Sequence, residues 1–393
     1  MKDKVVIGLS GGVDSSVAAY LLKEEGYEVI GVFMINWKES TGTLTSECTW
    51  EDDVVFAEMI AQKLDIPFHV VDLSDSYRKR VIDYMFSEYE KGRTPNPDVL
   101  CNREIKFDLF MERAIELGAK YVATGHYCRK EIVEINSGKY YRLLSGTDPN
   151  KDQSYFLCQL NQYQLSKSLF PVGHLLKDEV RMIARSQGLI TAERKDSQGI
   201  CFVGKVDLPV FLQQKLAAKE GNVIEIPAPF LSKRKELPIV PEFFDKLCSA
   251  FPFKPWNGKV IGEHKGAHFY TIGQRKGLNI GGYEKPLFIL ATDVVRNIIY
   301  VGEGKDHPGL FRRGLFVPKE EIHWVRPDLA MNDGEDRSFL FRIRYRQPLE
   351  KGQIYIMNEG AYIIFEKEQR GITAGQFAAW YLEDELIGSG IIS

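Results

Sequence analysis

The sequence predicts an α/β protein: an N-terminal doubly wound parallel sheet, a small central domain, and a C-terminal antiparallel β unit, a small barrel or sandwich. Three observations carry this. Short apolar, β-rich runs alternate with amphipathic helical stretches from the N-terminus onward; composition shifts near Pro227; and from about Lys285 the pattern is all β. A chain of 393 residues exceeds what one hydrophobic core usually serves, and the expected division is 1–208, 209–284 and 285–393.

The first half reads strand, helix, strand, helix, strand: "VVIGLS", "DSSVAAYLLKEEG", "YEVIGVFMI", "VVFAEMIAQKLD" and "IPFHVVDLS". In the first helix Val17, Leu21 and Leu22 share a face, and Gly26 stands where a C-terminal cap belongs. A helix through "IKFDLFMERAIELG" precedes the strand "AKYVATGHY", and a hairpin runs from "KEIVEI" to "KYYRLL" with Gly138 supplying the turn. The span from Pro227 to Pro255 is rich in proline and aromatics and carries a basic "SKRKE" at Ser232–Glu236, which reads as a linker or small domain. Alternating runs then follow to the C-terminus, including "RSFLFRIRYRQ" and "GQFAAWYLEDELIGSGII".

Apolar residues are 44% and charged residues 27% of the chain, ordinary for a globular protein and opposed to disorder or a fibrous class. No signal peptide, transit segment or bilayer-length apolar run is found, so a cytosolic, non-membrane protein is expected. The six cysteines form no Cys-x-x-Cys pair and no zinc spacing, so no structural metal is expected, and any disulfide would be transient. A net charge of −3 speaks against indiscriminate nucleic-acid binding while leaving room for a local RNA site.

"GLSGGVDSSVAAYLL" places glycines between a strand and a helix, so backbone N–H groups and the helix N-terminus form an anion site. Gly11 and Gly12 permit close approach, and Ser10 and Ser15 carry hydroxyls. The lysine of a Walker loop is absent. The other reading is a glycine-rich turn capped by Asp14 or Ser15. The stretch resembles the pyrophosphate loop (PP-loop) of N-type ATP pyrophosphatases, with the signature Ser-Gly-Gly-x-Asp-Ser. That family cleaves ATP between its α- and β-phosphates and adenylates a substrate oxygen, so a separate nucleophile must attack afterwards.

Two cysteines are candidates. In "GRTPNPDVLCNREIKF", Pro95 and Pro97 stiffen a loop delivering Cys101 just ahead of a helix starting near Asn102. There, with Arg103 and Lys106 close in sequence, its thiol is expected to have a lowered pKa. Asp98 is placed to move protons. Cys201, in "KDSQGICFVG", fits a core residue as well as a nucleophile. His126, ending a strand, is either a ligand contact or the donor of a local hydrogen bond. In "FRIRYRQ" a strand would set Arg342, Arg344 and Arg346 on one face, suited to a phosphate backbone or simply to solvent.

Taken with "GVFMINW", "ATGHY", "NKDQSYFL", "LFPVG", "GEHKGAHFYTIGQRKGL" and "GITAGQFAAWY", these blocks resemble the tRNA-specific 2-thiouridylases from one end of the chain to the other. The resemblance implies a PP-loop domain of the adenine nucleotide alpha hydrolase type, a tRNA-contacting central domain and a C-terminal antiparallel β-barrel. It implies ATP, with Mg2+, held by Gly8, Leu9, Ser10, Gly11, Gly12, Val13, Asp14, Ser15, Met34 and Gly125. Asn96, Pro97 and Asp98 would meet the target base, and Lys151, Asp152, Gln153, Arg344 and Tyr345 would touch tRNA. Cys201 would carry a persulfide received from a donor protein, and Cys101 would release the sulfur or close a transient disulfide. The implied substrates are tRNAs for lysine, glutamate and glutamine. One departure is the segment 222–259, longer than the link expected there. The competing class is a non-catalytic RNA-binding protein that senses ATP, which the intact loop and both cysteines oppose.

Overall fold

The computed structural model describes residues 2–38, 49–136, 138–196, 199–201, 203, 207–231 and 237–393. Cys48 and the basic "SKRKE" stretch lie outside the described residues.

The N-terminal unit opens with β1 (Lys4–Gly8), α1 (Val13–Glu24), β2 (Glu28–Ile35), α2 (Thr49–Lys63) and β3 (Phe68–Asp72). Next, α3 (Ser74–Tyr77) and α4 (Asp83–Glu90) flank a π-helical turn at Arg78–Ile82. α5 (Pro97–Leu100) runs directly into a π-helical stretch at Cys101–Leu109 and then α6 (Phe110–Glu116). β4 (Tyr121–Ala123), a hairpin of β5 (Cys128–Ile135) and β6 (Gly138–Ser145), α7 (Gln162–Lys167), β7 (Ser168–Leu169) and α8 (Lys177–Ser186) complete it.

Among the described residues the first sheet is parallel, in the order β3-β2-β1-β4-β7. Alternation along β1 divides its side chains between two cores. Val5 and Ile7 pack with Val17 and Leu22 of α1, Ile60 of α2 and Val180 of α8, while Val6 packs with Met85, Ile105 and Phe110. Helices therefore cover both faces, as the near-continuous apolar strands require. Gly26 has φ +87° just past α1, the left-handed cap that its position predicts.

The hairpin departs from expectation. Gly138 is the first residue of β6, paired with Ile135, and among the described residues of the turn it is Asn136 that has positive φ, at +48°. Asparagine tolerates that conformation because its short side chain bonds locally, so the turn does not need the glycine. Moreover, β6 pairs with a strand of the C-terminal sheet, so the hairpin reaches out of its own domain.

β8 (Gly221–Glu225), β9 (Lys259–His264), β10 (Leu287–Asp293) and β11 (Ile298–Glu303) form a second sheet in the order β10-β11-β8-β9. Between them come α9 (Leu208–Leu212), ahead of β8, and α10 (Phe244–Cys248), which packs against Tyr362 and Ile364 of the C-terminal unit. The alternation that marks 287–303 as β suits the C-terminal barrel, yet β10 and β11 pair with each other and β11 with β8, which joins them to β9. Period-two patterning reports a strand, not its partner.

The C-terminal barrel-like sheet holds β12 (Phe311–Pro318), β13 (Ile322–Trp324), β14 (Asp336–Arg342), β15 (Glu350–Met357), β16 (Gly360–Arg370), β17 (Phe377–Leu382) and β18 (Glu385–Ile391). Its order is β12-β16-β15-β14-β17-β18-β6-β5, with β13 paired to β18. Phe341, Ile354, Phe365 and Trp380 fill its core.

Candidate active site

The loop between β1 and α1 is shaped by backbone constraints. Gly11 has φ +69°, and a Cβ there would lie 2.5 Å from the Asp53 carbonyl oxygen. A Cβ on Gly125 would fall 2.8 Å from the backbone of Asp14 and Ser15, so only glycine lets β4's end approach α1 this closely. Neither Asp14 nor Ser15 caps the helix: Gly12 is the N-cap, with no side-chain cap bond, and Ser15 Oγ instead donates to the Gly12 carbonyl at 3.1 Å. Among the described residues, no side chain accepts from the first N–H groups of α1, the state an anion-binding terminus needs. Leu9 and Val13 are 2% and 3% exposed and packed in the core, so only their backbones are available to a ligand. Met34 sits against Gly8, its Cε 3.3 Å from where a Cβ would stand.

The cation missing from the loop arrives from elsewhere in the chain. Lys177, the first residue of α8, places Nζ 2.7 and 2.9 Å from the two Asp14 carboxylate oxygens and 2.8 Å from Asp196. Tyr127 donates its hydroxyl to Asp14 at 2.6 Å. Arg194 donates to the Gly11 carbonyl at 2.6 Å, pairs with Asp53 at 2.5 Å and lies over the Phe56 ring. Arg181 joins Lys151 and Lys177 around Asp196; burial raises that carboxyl, but hydrogen bonds from Lys151 and Lys177 outweigh it and hold it at about 2. None of Lys177, Arg181, Arg194 and Asp53 was expected from the sequence. Lys177 did leave a signal: a lysine in a helix's first turn opposes the macrodipole and needs a local reason.

The two cysteines meet. Cys101 Sγ lies 3.6 Å from Cys201 Sγ, and both are free thiols. Asp98 accepts the Cys201 backbone N–H at 2.9 Å, and the Tyr77 hydroxyl donates to the Cys201 carbonyl at 2.6 Å. Asn96 caps α5 by accepting from the Val99 N–H at 3.3 Å, with Pro97 in the first helical position.

The expectation of a lowered pKa at Cys101 is reversed. The helix begins at Pro97, so Cys101 sits one turn inside it, and its side chain is fully buried. Burial, then the bond to Cys201, pushes the Cys101 thiol well up. The Cys201 thiol is lowered, first by the hydrogen bond from Cys101 and further by Lys106, whose ammonium also bonds it. Of the pair, Cys201 is the more acidic thiol and Cys101 the hydrogen-bond donor. Arg103 turns away to Glu104 and Gln159.

A cavity of about 400 Å³ adjoins the pair, with Asn96, Pro97, Asp98, Gly199, Ile200 and Gln376 in its wall. His126 lies outside it, accounted for by a 2.7 Å hydrogen bond between Nδ1 and Thr124 and by contacts with Phe107 and Phe170; burial holds its imidazole well below the usual pKa.

Three family models match: a tRNA methyl transferase HUP domain at residues 3–205, a tRNA methyl transferase PRC-barrel domain at 251–303 and an aminomethyltransferase beta-barrel domain at 316–392. Whole-chain relatives decide among the labels. The tRNA-specific 2-thiouridylase MnmA of Christiangramia forsetii is 58% identical over 99% of this chain and 100% of its own. That of Flavobacterium johnsoniae is 57% identical over the same shares, and that of Chlamydia trachomatis serovar L2 is 43% identical over 100% and 98%. The chain belongs to the tRNA-specific 2-thiouridylase family.

Family membership draws attention to the positions assigned to tRNA. Lys151 bonds Asp196 at 2.5 Å, and the Gln153 side chain accepts the Tyr127 N–H at 3.0 Å. Asp152 is 5% exposed and accepts from Gly146, Ser154 and Arg342. The expected row of arginines does not form. β14 ends at Arg342, which turns to Asp152 at 2.7 Å; Arg344 donates to the Ile272 and Gly371 carbonyls and to Thr373; and Arg346, at φ +62°, covers the Tyr345 ring. Tyr345 packs against Phe156 with the rings tilted by 41° and their centroids 4.3 Å apart. Buried acceptors draw the first two arginines inward because unpaired carboxylates and carbonyls are costly there.

Proposed function

We propose that this thiouridylase activates the C2 oxygen of the uridine at the first anticodon position of tRNA with ATP, then replaces that oxygen with sulfur carried on Cys201. The observation that supports this most is the thiol pair, with Sγ atoms 3.6 Å apart, on a segment tied to the nucleotide loop. Lys177 bonds both Asp14 in the loop and Asp196, which leads into the Cys201 segment.

The loop fits a polyphosphate, since α1's N–H groups are uncapped and Lys177, Arg181 and Arg194 stand around it. Magnesium would arrive with ATP and would draw charge from the leaving pyrophosphate, while Asp14, its oxygens taken by Lys177 and Tyr127, holds the loop in place. In the first step the C2 oxygen attacks the α-phosphorus and pyrophosphate departs. In the second, the terminal sulfur of a Cys201 persulfide, supplied by a donor protein, attacks C2 and AMP leaves. Cys101 then attacks Cys201 Sγ, closing a disulfide and releasing the thiouridine sulfur; a thiol reductant restores the pair. Asp98, half-buried beside the cavity, moves protons as the C2 oxygen is activated.

Asn96, Pro97 and Asp98 form the base site. Lys151, Gln153 and Tyr345 are the tRNA contacts, while Asp152 and Arg344 brace the segments that carry them. The substrates proposed are the tRNAs for lysine, glutamate and glutamine, in the cytoplasm. The test follows ATP labelled at the α-phosphate with a persulfide source, with and without unmodified tRNA, and weighs the wobble nucleoside. AMP formed only with tRNA, and a mass gain of about sixteen daltons, is the expected result. AMP without a thionucleoside would move the reading to another acceptor, and no AMP would favour an ATP-sensing binding protein.

A further inference from the structure

Cys201 lies in a turn outside any helix or strand, yet both polar groups of its backbone are held by side chains. Its N–H donates to Asp98 Oδ1 at 2.9 Å, and its carbonyl accepts the Tyr77 hydroxyl at 2.6 Å. The turn is closed by the Val203 N–H on the Ile200 carbonyl at 3.1 Å, and Val203 is buried in the core that holds Tyr77, Val99 and Cys101. The two grips come from different elements. Asp98 stands on α5, just ahead of Cys101, and Tyr77 at the junction of α3 with the π-helical turn Arg78–Ile82. Together they hold a residue 103 and 124 positions away in sequence, with its Sγ 3.6 Å from that of Cys101.

The reaction asks different things of the two grips. Asp98 gains and loses a proton in the proposed function, so the strength of its bond to the Cys201 N–H changes through the cycle. Tyr77 is fully buried, and burial, with both thiols and Asp98 near it, pushes its hydroxyl well above the ordinary phenol range. It therefore stays a neutral donor at every step. A hydroxyl donating to a main-chain carbonyl fixes the peptide and leaves the thiol free to react.

Sulfur release is the step that needs a fixed peptide. Once the terminal sulfur of the persulfide has bonded C2, the S–S bond to Cys201 must break. Cys101 Sγ bonds Cys201 Sγ, and the electron pair of the old bond leaves on the sulfur attached to C2. The Cys101 proton passes to Asp98 and on to the thiouridine. One disulfide replaces another, so no oxidant is consumed. The attack needs Cys201 Sγ held within reach of Cys101, where a drift of about 1 Å is costly.

We propose that Tyr77 is a positioning residue for sulfur release: its hydroxyl, bonded to the Cys201 carbonyl, holds Cys201 Sγ where Cys101 can attack it. The inference rests on the two-cysteine thiouridylase reading of the site. The effect of the hydroxyl is confined to the step that joins the two cysteine sulfurs.

The first test needs no tRNA. The full chain is equilibrated in glutathione buffers and the Cys101–Cys201 disulfide is quantified by peptide mass mapping, which gives the effective concentration of one thiol at the other. Tyr77→Phe keeps the buried ring, removes one oxygen and is expected to lower that concentration at least about tenfold. A folded variant that falls by less overturns the proposal. Should the variant not fold, wild type decides. Its native pair is expected at least about a hundredfold above the same chain in urea, where the two thiols are on the order of millimolar or less to each other, and a smaller ratio overturns the proposal.

In turnover with ATP, a persulfide source and tRNA, Tyr77→Phe is expected to accumulate a covalent tRNA–enzyme adduct that a small thiol cleaves, with thionucleoside release slowed at least about tenfold. On a Cys101→Ala background the same substitution should slow release no further, because the attack it serves is gone. An equal further slowing there would make Tyr77 merely structural and overturns the proposal. A wild type that makes no thionucleoside overturns the thiouridylase reading instead, while the glutathione equilibrium still decides whether Tyr77 positions the pair.

Discussion

Lys177 holds both carboxylate oxygens of Asp14 across 163 residues of sequence, at 2.7 and 2.9 Å. It gives the loop the ammonium that its own sequence lacks, and through Asp196 it reaches the segment leading to Cys201. Lys177→Met is expected to cut tRNA-dependent AMP formation by about a hundredfold, the cost of losing one positioned charge at developing phosphate charge. Labelled-ATP turnover checks this, and AMP formation at the wild-type rate would reduce Lys177 to a structural ion pair.

The thiol pair makes a prediction with a defined sign. Cys201 is lowered and Cys101 raised, so Cys201 is the more thiolate at any pH near neutrality and should be alkylated first, at a pH below the ordinary thiol range. Cys101→Ala removes the largest cause of the lowering, so the midpoint of Cys201 alkylation against pH should move up. Cys201→Ser should lower thionucleoside formation by about a hundredfold or more while AMP still forms. Peptide mass mapping of iodoacetamide adducts reads the first part, and equal labelling of both cysteines would contradict it.

Asp98 separates stability from activity. Burial raises its carboxyl above the ordinary range, although the Cys201 N–H draws it down. The folded state therefore binds that proton more readily than the unfolded chain, and this group's contribution to stability grows as pH falls through the window between ordinary and raised values. At neutral pH the charged form is the disfavoured one. Asp98→Asn should keep or raise the melting temperature at pH 7 and lower thiolation about a hundredfold. A lower melting temperature with unchanged thiolation would assign Asp98 to structure alone.

Gly11→Ala tests the loop itself. A side chain at φ +69° costs about 1–2 kcal/mol, and the added Cβ meets the Asp53 carbonyl at 2.5 Å. Because Arg194 grips both Gly11 and Asp53, displacement should loosen the cation as well. ATP affinity, measured by calorimetry, is expected to fall more than about tenfold.

Much of the fold was legible because its signals are local. The alternation of Val5, Val6 and Ile7, the glycine after α1 and the apolar strands each follow from residues within one element. The hairpin turn misled because glycine and asparagine both suit positive φ, and the register fell one residue away from the obvious choice. The strands at 287–303 were legible as strands, yet their partners were not.

For the site, the order of residues alone specifies the chemistry present: a glycine loop at a helix start, an Asn-Pro-Asp turn and two cysteines in polar settings. How that chemistry is wired is settled by the folded arrangement. Which thiol is the more acidic, where the loop's lysine comes from and why Arg342 turns inward depend on burial and distance between groups 100 or more residues apart in the chain. Ionisation is set by desolvation and the nearest charges, and neither exists until the chain has folded.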